Sequence, residues 1–132
     1  MSKLIRGTHH VALKCAGTAE FQKTVAFYTE VLGLEPVRSW GEGTGSGIML
    51  STGNSLIEIF ANGEDHPGEG AIRHFALATD DVDACAAAVR ATGYPITVEP
   101  KDGVIASDPA FPIRIAFCTG PVGETIEFFK ER

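Results

Sequence analysis

His10-Val11-Ala12-Leu13 and His74-Phe75-Ala76-Leu77 are one phrase written twice. A second phrase also repeats: Ile57-Glu58-Ile59-Phe60 returns as Ile126-Glu127-Phe128-Phe129. The offsets are 64 residues (10 to 74) and 69 residues (58 to 127), so the copies differ by small loop changes. Between the two phrases each half carries a helical stripe that ends at a glycine. An internal repeat in both order and identity sets the architecture before any single element is read.

Each half reads as strand, helix, then three strands, an α+β pattern. Residues 8–15 alternate around Val11, Leu13 and Cys15. From Thr18, read as the N-cap, Phe21, Val25, Tyr28 and Leu32 recur at helical spacing until Gly33 stops the helix. Strands are predicted over 35–40, 46–51 and 55–61, with Gly41–Gly47 as the turn between the first two. In the second half, 71–79 reads as a strand. Asp80-Asp81 open a helix bearing Val82, Cys85 and Val89, and Gly93 closes it. Strands follow at 95–100, 112–118 and 124–130, while Pro109 and Pro112 predict a loop over 102–112. A polar, Gly/Pro-rich connector over 63–70 separates module 1 (1–62) from module 2 (71–132), and its His66 reads as solvated.

Composition narrows the function classes. The 132 residues suffice for one domain with a sizeable core. A net charge of −6 argues against a nucleic-acid surface, which needs a basic face. No apolar run is long enough for a membrane span, and Met1–Arg6 lacks a signal-peptide core. Three cysteines without a C-x-x-C read as reduced thiols in a cytoplasmic protein. Gly43-Thr44-Gly45-Ser46-Gly47 lacks the lysine and following helix of a phosphate loop. Nothing suggests nucleophilic catalysis.

Alternation then isolates four polar side chains. With Val11, Leu13, Phe75 and Leu77 turned toward the helices, His10 and His74 take the opposite face. With Ile57, Ile59, Ile126 and Phe128 at the back, Glu58 and Glu127 come to the front. The same rule therefore delivers two imidazoles and two carboxylates to one concave face. An ionised carboxylate among Leu, Ile and Phe costs several kcal/mol unless paired, and no Lys or Arg run on these strands neutralises both. One divalent cation does, and the mixed N/O donor set suits Zn, Ni, Co, Mn or Fe better than Ca or Mg. His9 points to the other face and reads as structural, at a strand end, since the repeat aligns His10 with His74.

These residues resemble the glyoxalase I branch of the vicinal oxygen chelate superfamily, over nearly the whole chain. The resemblance rests on His10–Leu13, Phe27-Tyr28-Thr29-Glu30-Val31-Leu32-Gly33-Leu34, Leu56–Ile59, His74–Leu77 and Gly123–Glu127. It implies two βαβββ modules forming cupped mixed sheets. It also implies a homodimer in which module 1 of one chain often meets module 2 of the other. Which pairing applies here stays open at this point. The metal set implied is His10, Glu58, His74 and Glu127.

The implied substrate is the hemithioacetal of methylglyoxal and glutathione, isomerised to lactoylglutathione through an enediolate that the metal stabilises. Glu127 is the expected mobile carboxylate and Glu58 the alternative. Phe60 and Phe129 line the pocket, and Trp40 with Gly41–Gly47 forms a flap or a long hairpin turn. Asn62 lies where an amide contacts the glutathione peptide. Lys14 stands where the family usually places an arginine, and the two are not equivalent in a bidentate clamp. Arg114, out of register by about one place, represents the basic residue expected near the last strand. Gly120-Pro121-Val122-Gly123 replaces the family's Asp-Pro-Asp-Gly turn. Two other readings use the same fold: an epimerase of an acyl-CoA or another α-hydroxy or keto compound, and a non-catalytic dimer that binds a drug or metabolite.

Overall fold

The computed structural model describes Leu4 and residues 6–64 and 68–132; His66 lies outside them. Strand β1 (His10–Lys14) leads into helix α1 (Thr18–Ala26). Strands β2 (Glu35–Trp40), β3 (Gly47–Ser51) and β4 (Leu56–Phe60) complete module 1. Module 2 repeats the order with β5 (Phe75–Ala78), α2 (Val82–Ala91), β6 (Ile96–Ile105), β7 (Phe111–Thr119) and β8 (Thr125–Glu131). The sheets run β1-β4-β3-β2 and β5-β8-β7-β6, each with a parallel first pair and antiparallel neighbours after it. The two βαβββ modules read from the repeat are thus the architecture. Among the described residues no helix is long and apolar enough to cross a membrane.

The core lies between sheets and helices. Ile57, Ile59, Ile126 and Phe128 are buried there with Leu50, Val82, Val89 and Ala116. This burial of alternate strand residues is what turns the remaining ones to the open faces.

Four local expectations are corrected. Gly17, not Thr18, caps α1: its φ of 90° is open to glycine, and no side chain accepts there. The helix does not run regularly to Leu32. After Ala26 it widens over Phe27–Val31, where the Leu32 amide reaches the Phe27 carbonyl at 3.1 Å, five residues back. This turn buries Phe27 and Tyr28 side by side. In module 2, β6 continues to Ile105, so the predicted loop over 102–112 shrinks to 106–110. Pro100 falls within an irregular stretch of the ladder between Val98 and Lys101 on an edge strand, where its missing N–H is tolerated. Strand β5 is shorter than the predicted 71–79 and leaves His74 just before its first residue.

A side-chain tie joins the modules. The Tyr28 hydroxyl donates to Glu124 Oε2 at 2.6 Å, and Glu124 Oε1 accepts from the Val122 amide at 2.9 Å. A Cβ at Gly120 would lie 2.5 Å from that same carboxylate. Gly120, where a side chain would collide, leaves room for the Glu124 carboxylate.

Candidate metal centre

Register fixes what surrounds each carboxylate. On the open face of module 1, Glu58 sits between Ala12 of β1 and Met49 of β3, with Arg38 of β2 beyond Met49. The next row along is Lys14, Phe60, Gly47 and Trp40. The Trp40 ring stands 6.0 Å from Phe60 and covers the space a Gly47 side chain would take. On the open face of module 2, Glu127 sits between Ala76 and Phe117, with Val98 beyond. Its next row is Ala78, Phe129, Ile115 and Lys101.

Each glutamate meets its histidine. His10 Nε2 lies 3.4 Å from Glu58 Oε1, and His74 Nε2 lies 3.2 Å from Glu127 Oε1. The glutamate side chains are only 12% and 11% exposed. Among the described residues no Lys or Arg pairs with either. The four predicted ligands do not share one centre within the chain, however. Among the described residues no three His, Cys, Asp or Glu side chains are grouped to hold an ion. The expectation of one concave face is corrected to two His–Glu pairs on two separate sheets.

The donor chemistry fits half of a cation site on each sheet. Each pair offers one imidazole nitrogen and one carboxylate oxygen in a largely apolar setting, the mixed set that transition metals accept.

The other predicted site residues divide. Lys14 and Phe60 share a row beside Glu58, and Phe129 is the next open-face residue after Glu127. Asn62 follows β4 and bridges Ala16 near the end of β1. Arg114 is a correction. It pairs with Lys130 in register, one place out of step with the Glu127 row, so it lies on the helix face. There it binds Asp83 of α2 at 2.8 Å and Asp102 at 3.0 Å. The Trp40 stretch is a hairpin turn, with a short helical turn at Gly43–Gly45. His9 is also corrected. It precedes β1, is not held to the opposite face, and places its Nδ1 2.8 Å from His10 Nδ1.

Sequence reading missed Met49, Phe117 and Arg38 on the open faces. Alternation along β2, β3 and β7 carries that signal once the register is known. It also missed the Tyr28–Glu124 tie. Burial, followed by the nearby Glu124 charge, pushes the Tyr28 phenol well above 10.0, and burial raises Glu124. Burial also raises Cys15 and pushes Cys118 up to about 12, so neither thiol is an activated nucleophile.

Two βαβββ modules, each with a four-stranded mixed sheet, define the class of fold. The chain belongs to the Glyoxalase/Bleomycin resistance protein/Dioxygenase superfamily, whose pattern matches residues 7–128. Among curated proteins no relative was found. Solved structures of the same fold include the trypanothione-dependent glyoxalase I of Leishmania major. It shares 22% identity at a TM-score of 0.70, over 96% of this chain and 87% of that one. A glyoxalase family protein from Enterococcus faecalis shares 22% at 0.71, over 96% and 99%. An antibiotic-binding protein from a Streptomyces species shares 20% at 0.71, over 99% and 100%. These likenesses are of fold.

Proposed function

We propose that the chain is a metal-dependent, glyoxalase I-like lyase that isomerises a thiol–methylglyoxal hemithioacetal, with glutathione as the thiol. Its site would be completed by module 1 of one chain and module 2 of a second. One observation carries this reading: the same His–Glu pair is built twice, and each copy would supply half a ligand set. His10, Glu58, His74 and Glu127 would hold the cation. When bound, a divalent Ni, Zn, Co, Mn or Fe ion would polarise the neighbouring oxygens of the substrate and balance the two carboxylate charges.

The remaining work falls to side chains. Glu127 would carry the proton between adjacent carbons, with Glu58 as the alternative carrier. Phe60 and Phe129, two residues beyond the glutamates on the same strands, would keep water from the reacting carbons. Lys14 and Asn62, at one end of module 1, would take a carboxylate and the peptide of glutathione.

Elemental analysis of the purified protein, then the hemithioacetal assay with and without metal add-back, tests the reading. A stoichiometric transition metal and metal-dependent turnover are expected. Mixing inactive His10→Ala and Glu127→Ala chains tests the shared site. Half the mixed dimers would be heterodimers with one intact site, restoring about a quarter of wild-type activity. Turnover of an acyl-CoA epimer instead would move the substrate elsewhere in the superfamily. Metal-free protein that still binds small molecules would make the chain a binding module.

A further inference from the structure

His9 precedes β1, so strand alternation does not orient its side chain. Its backbone is nonetheless fixed to the neighbouring strand. The His9 carbonyl accepts from the Leu56 amide at 3.2 Å and from the Ser55 hydroxyl at 3.1 Å. Its ring stands edge-on to that of His10, with centroids 5.1 Å apart and planes at 81°. The two Nδ1 atoms are 2.8 Å apart, so one carries the proton and the other accepts it.

The other nitrogen of His10, Nε2, faces Glu58. A neutral imidazole that ligates a cation through Nε2 must leave that atom bare, so its proton sits on Nδ1. His10 Nδ1 then donates, His9 Nδ1 accepts, and His9 keeps its own proton on Nε2. We propose that His9 is a positioning residue for the metal ligand His10, fixing its ring and its Nε2-bare tautomer through the Nδ1–Nδ1 hydrogen bond. The proposal rests on the metal-site reading above. Ligating histidines ordinarily give their second N–H to a carboxylate, a carbonyl or water. Here an adjacent imidazole takes that place.

Without a cation the opposite assignment is open to the pair. His10 Nε2–H faces Glu58 and His9 Nδ1–H donates to His10. Both arrangements keep two neutral rings and two protons, so His9 can serve either state.

Module 2 has no such device. The residue before His74 is Arg73, whose guanidinium pairs with Glu69. The His74 ring stands edge-on to Phe117 at 5.3 Å. Among the described residues its nitrogens meet no polar side chain but Glu127. The two half-sites would therefore hold a metal unequally, with His10 the better oriented ligand.

The test is a Co2+ titration of the full-length protein against a competing chelator, read with the d–d absorption of the bound ion. Wild type, His9→Phe, His9→Asn and Arg73→Ala are compared. His9→Phe should bind about tenfold more weakly and shift the Co2+ spectrum. His9→Asn, whose Oδ1 stands near the place of Nδ1, should recover most of that loss. Arg73→Ala should bind as wild type does. Equal affinity in wild type and His9→Phe would overturn the role of His9 alone, as would His9→Asn no better than His9→Phe. Wild-type protein that takes up no Co2+ would overturn the metal reading and this proposal together. His9 is exposed, so a metal-free melting temperature matching wild type shows that any loss is not unfolding.

Discussion

Modules 1 and 2 build the same pair from different surroundings. In module 1 the imidazole–carboxylate contact of 3.4 Å is flanked by Met49, Phe60 and Trp40, and His10 has a second histidine behind it. In module 2 the contact of 3.2 Å is flanked by Phe117, Ile115 and Phe129, and an aromatic edge replaces the second histidine. The helices differ too. The first ends in a widened turn that sends Tyr28 across to module 2, while the second ends within its own module at Thr92 and Gly93. Shared strand parity with unlike neighbours separates two kinds of determinant. Position on the sheet decides which residues reach the open face. Neighbouring side chains decide what each can do there.

The largest effect should come from the carboxylates themselves. If Glu127 carries the proton while Glu58 only ligates, the two Glu→Gln variants will part company under excess metal. Glu127→Gln should stay about 10²- to 10⁴-fold down in turnover, and Glu58→Gln should recover substantially. Steady-state rates at rising metal concentration make the comparison. Equal recovery in both variants would remove the distinction between the modules.

Next comes the tie between them. Tyr28→Phe strands the Glu124 carboxylate in a buried site with one donor fewer, and should cost about 2 kcal/mol in denaturant unfolding. Gly120→Ala should also destabilise, because its methyl would press on the Glu124 carboxylate. In a Glu124→Ala background the same change should be nearly free. An undiminished cost there would show that the glycine serves its backbone instead.

The same carboxylate should leave a pH signature of smaller size. Burial raises Glu124 above its ordinary 4.5, so the folded state holds this proton more tightly than the unfolded chain. Its contribution to stability is then full below the unfolded value and declines as pH rises through the folded one. Asp83, lowered by its hydrogen bonds to Arg114, works in the opposite direction at lower pH. The difference between wild type and Glu124→Gln isolates the first effect. Wild type should lose stability relative to the variant as pH climbs above about 4.5. A difference that is flat with pH would contradict the raised value.

Legibility followed the same division between position and neighbours. Strand parity brought His10, Glu58 and Glu127 to the open faces, because the buried residues beside them allow one orientation, whereas His74, just before β5, is placed by its 3.2 Å contact with Glu127. The one-place register offset of Arg114 was legible, and it is enough to move the side chain through the sheet to Asp83 and Asp102. His9 failed because parity does not extend past the first strand residue. The length of β6 was hidden by Pro109 and Pro112, which read as a loop over 102–112 although β6 runs on to Ile105 and β7 begins at Phe111. The Tyr28–Glu124 bond spans 96 residues and leaves no periodic trace. The separation of the two His–Glu pairs was not legible, because parity assigns a face but not where the two sheets lie; among the described residues no three such side chains are grouped.

The smallest effect tests whether the aromatic wall of module 1 is set by one glycine. Trp40, Gly47 and Phe60 share a row, and the indole lies over the position a Gly47 side chain would occupy. Module 2 has no equivalent glycine beneath an indole, because Trp40 is the single tryptophan. Its fluorescence therefore reports on this corner alone. Gly47→Ala should swing the half-exposed ring outward, red-shift its emission and cost about 1 kcal/mol, the low end for overpacking because the ring can move into solvent. Unshifted emission would mean that Phe60, rather than the glycine, holds the indole in place. Phe60→Leu would then carry the red shift, and the wall beside Glu58 would depend on its own aromatic pair.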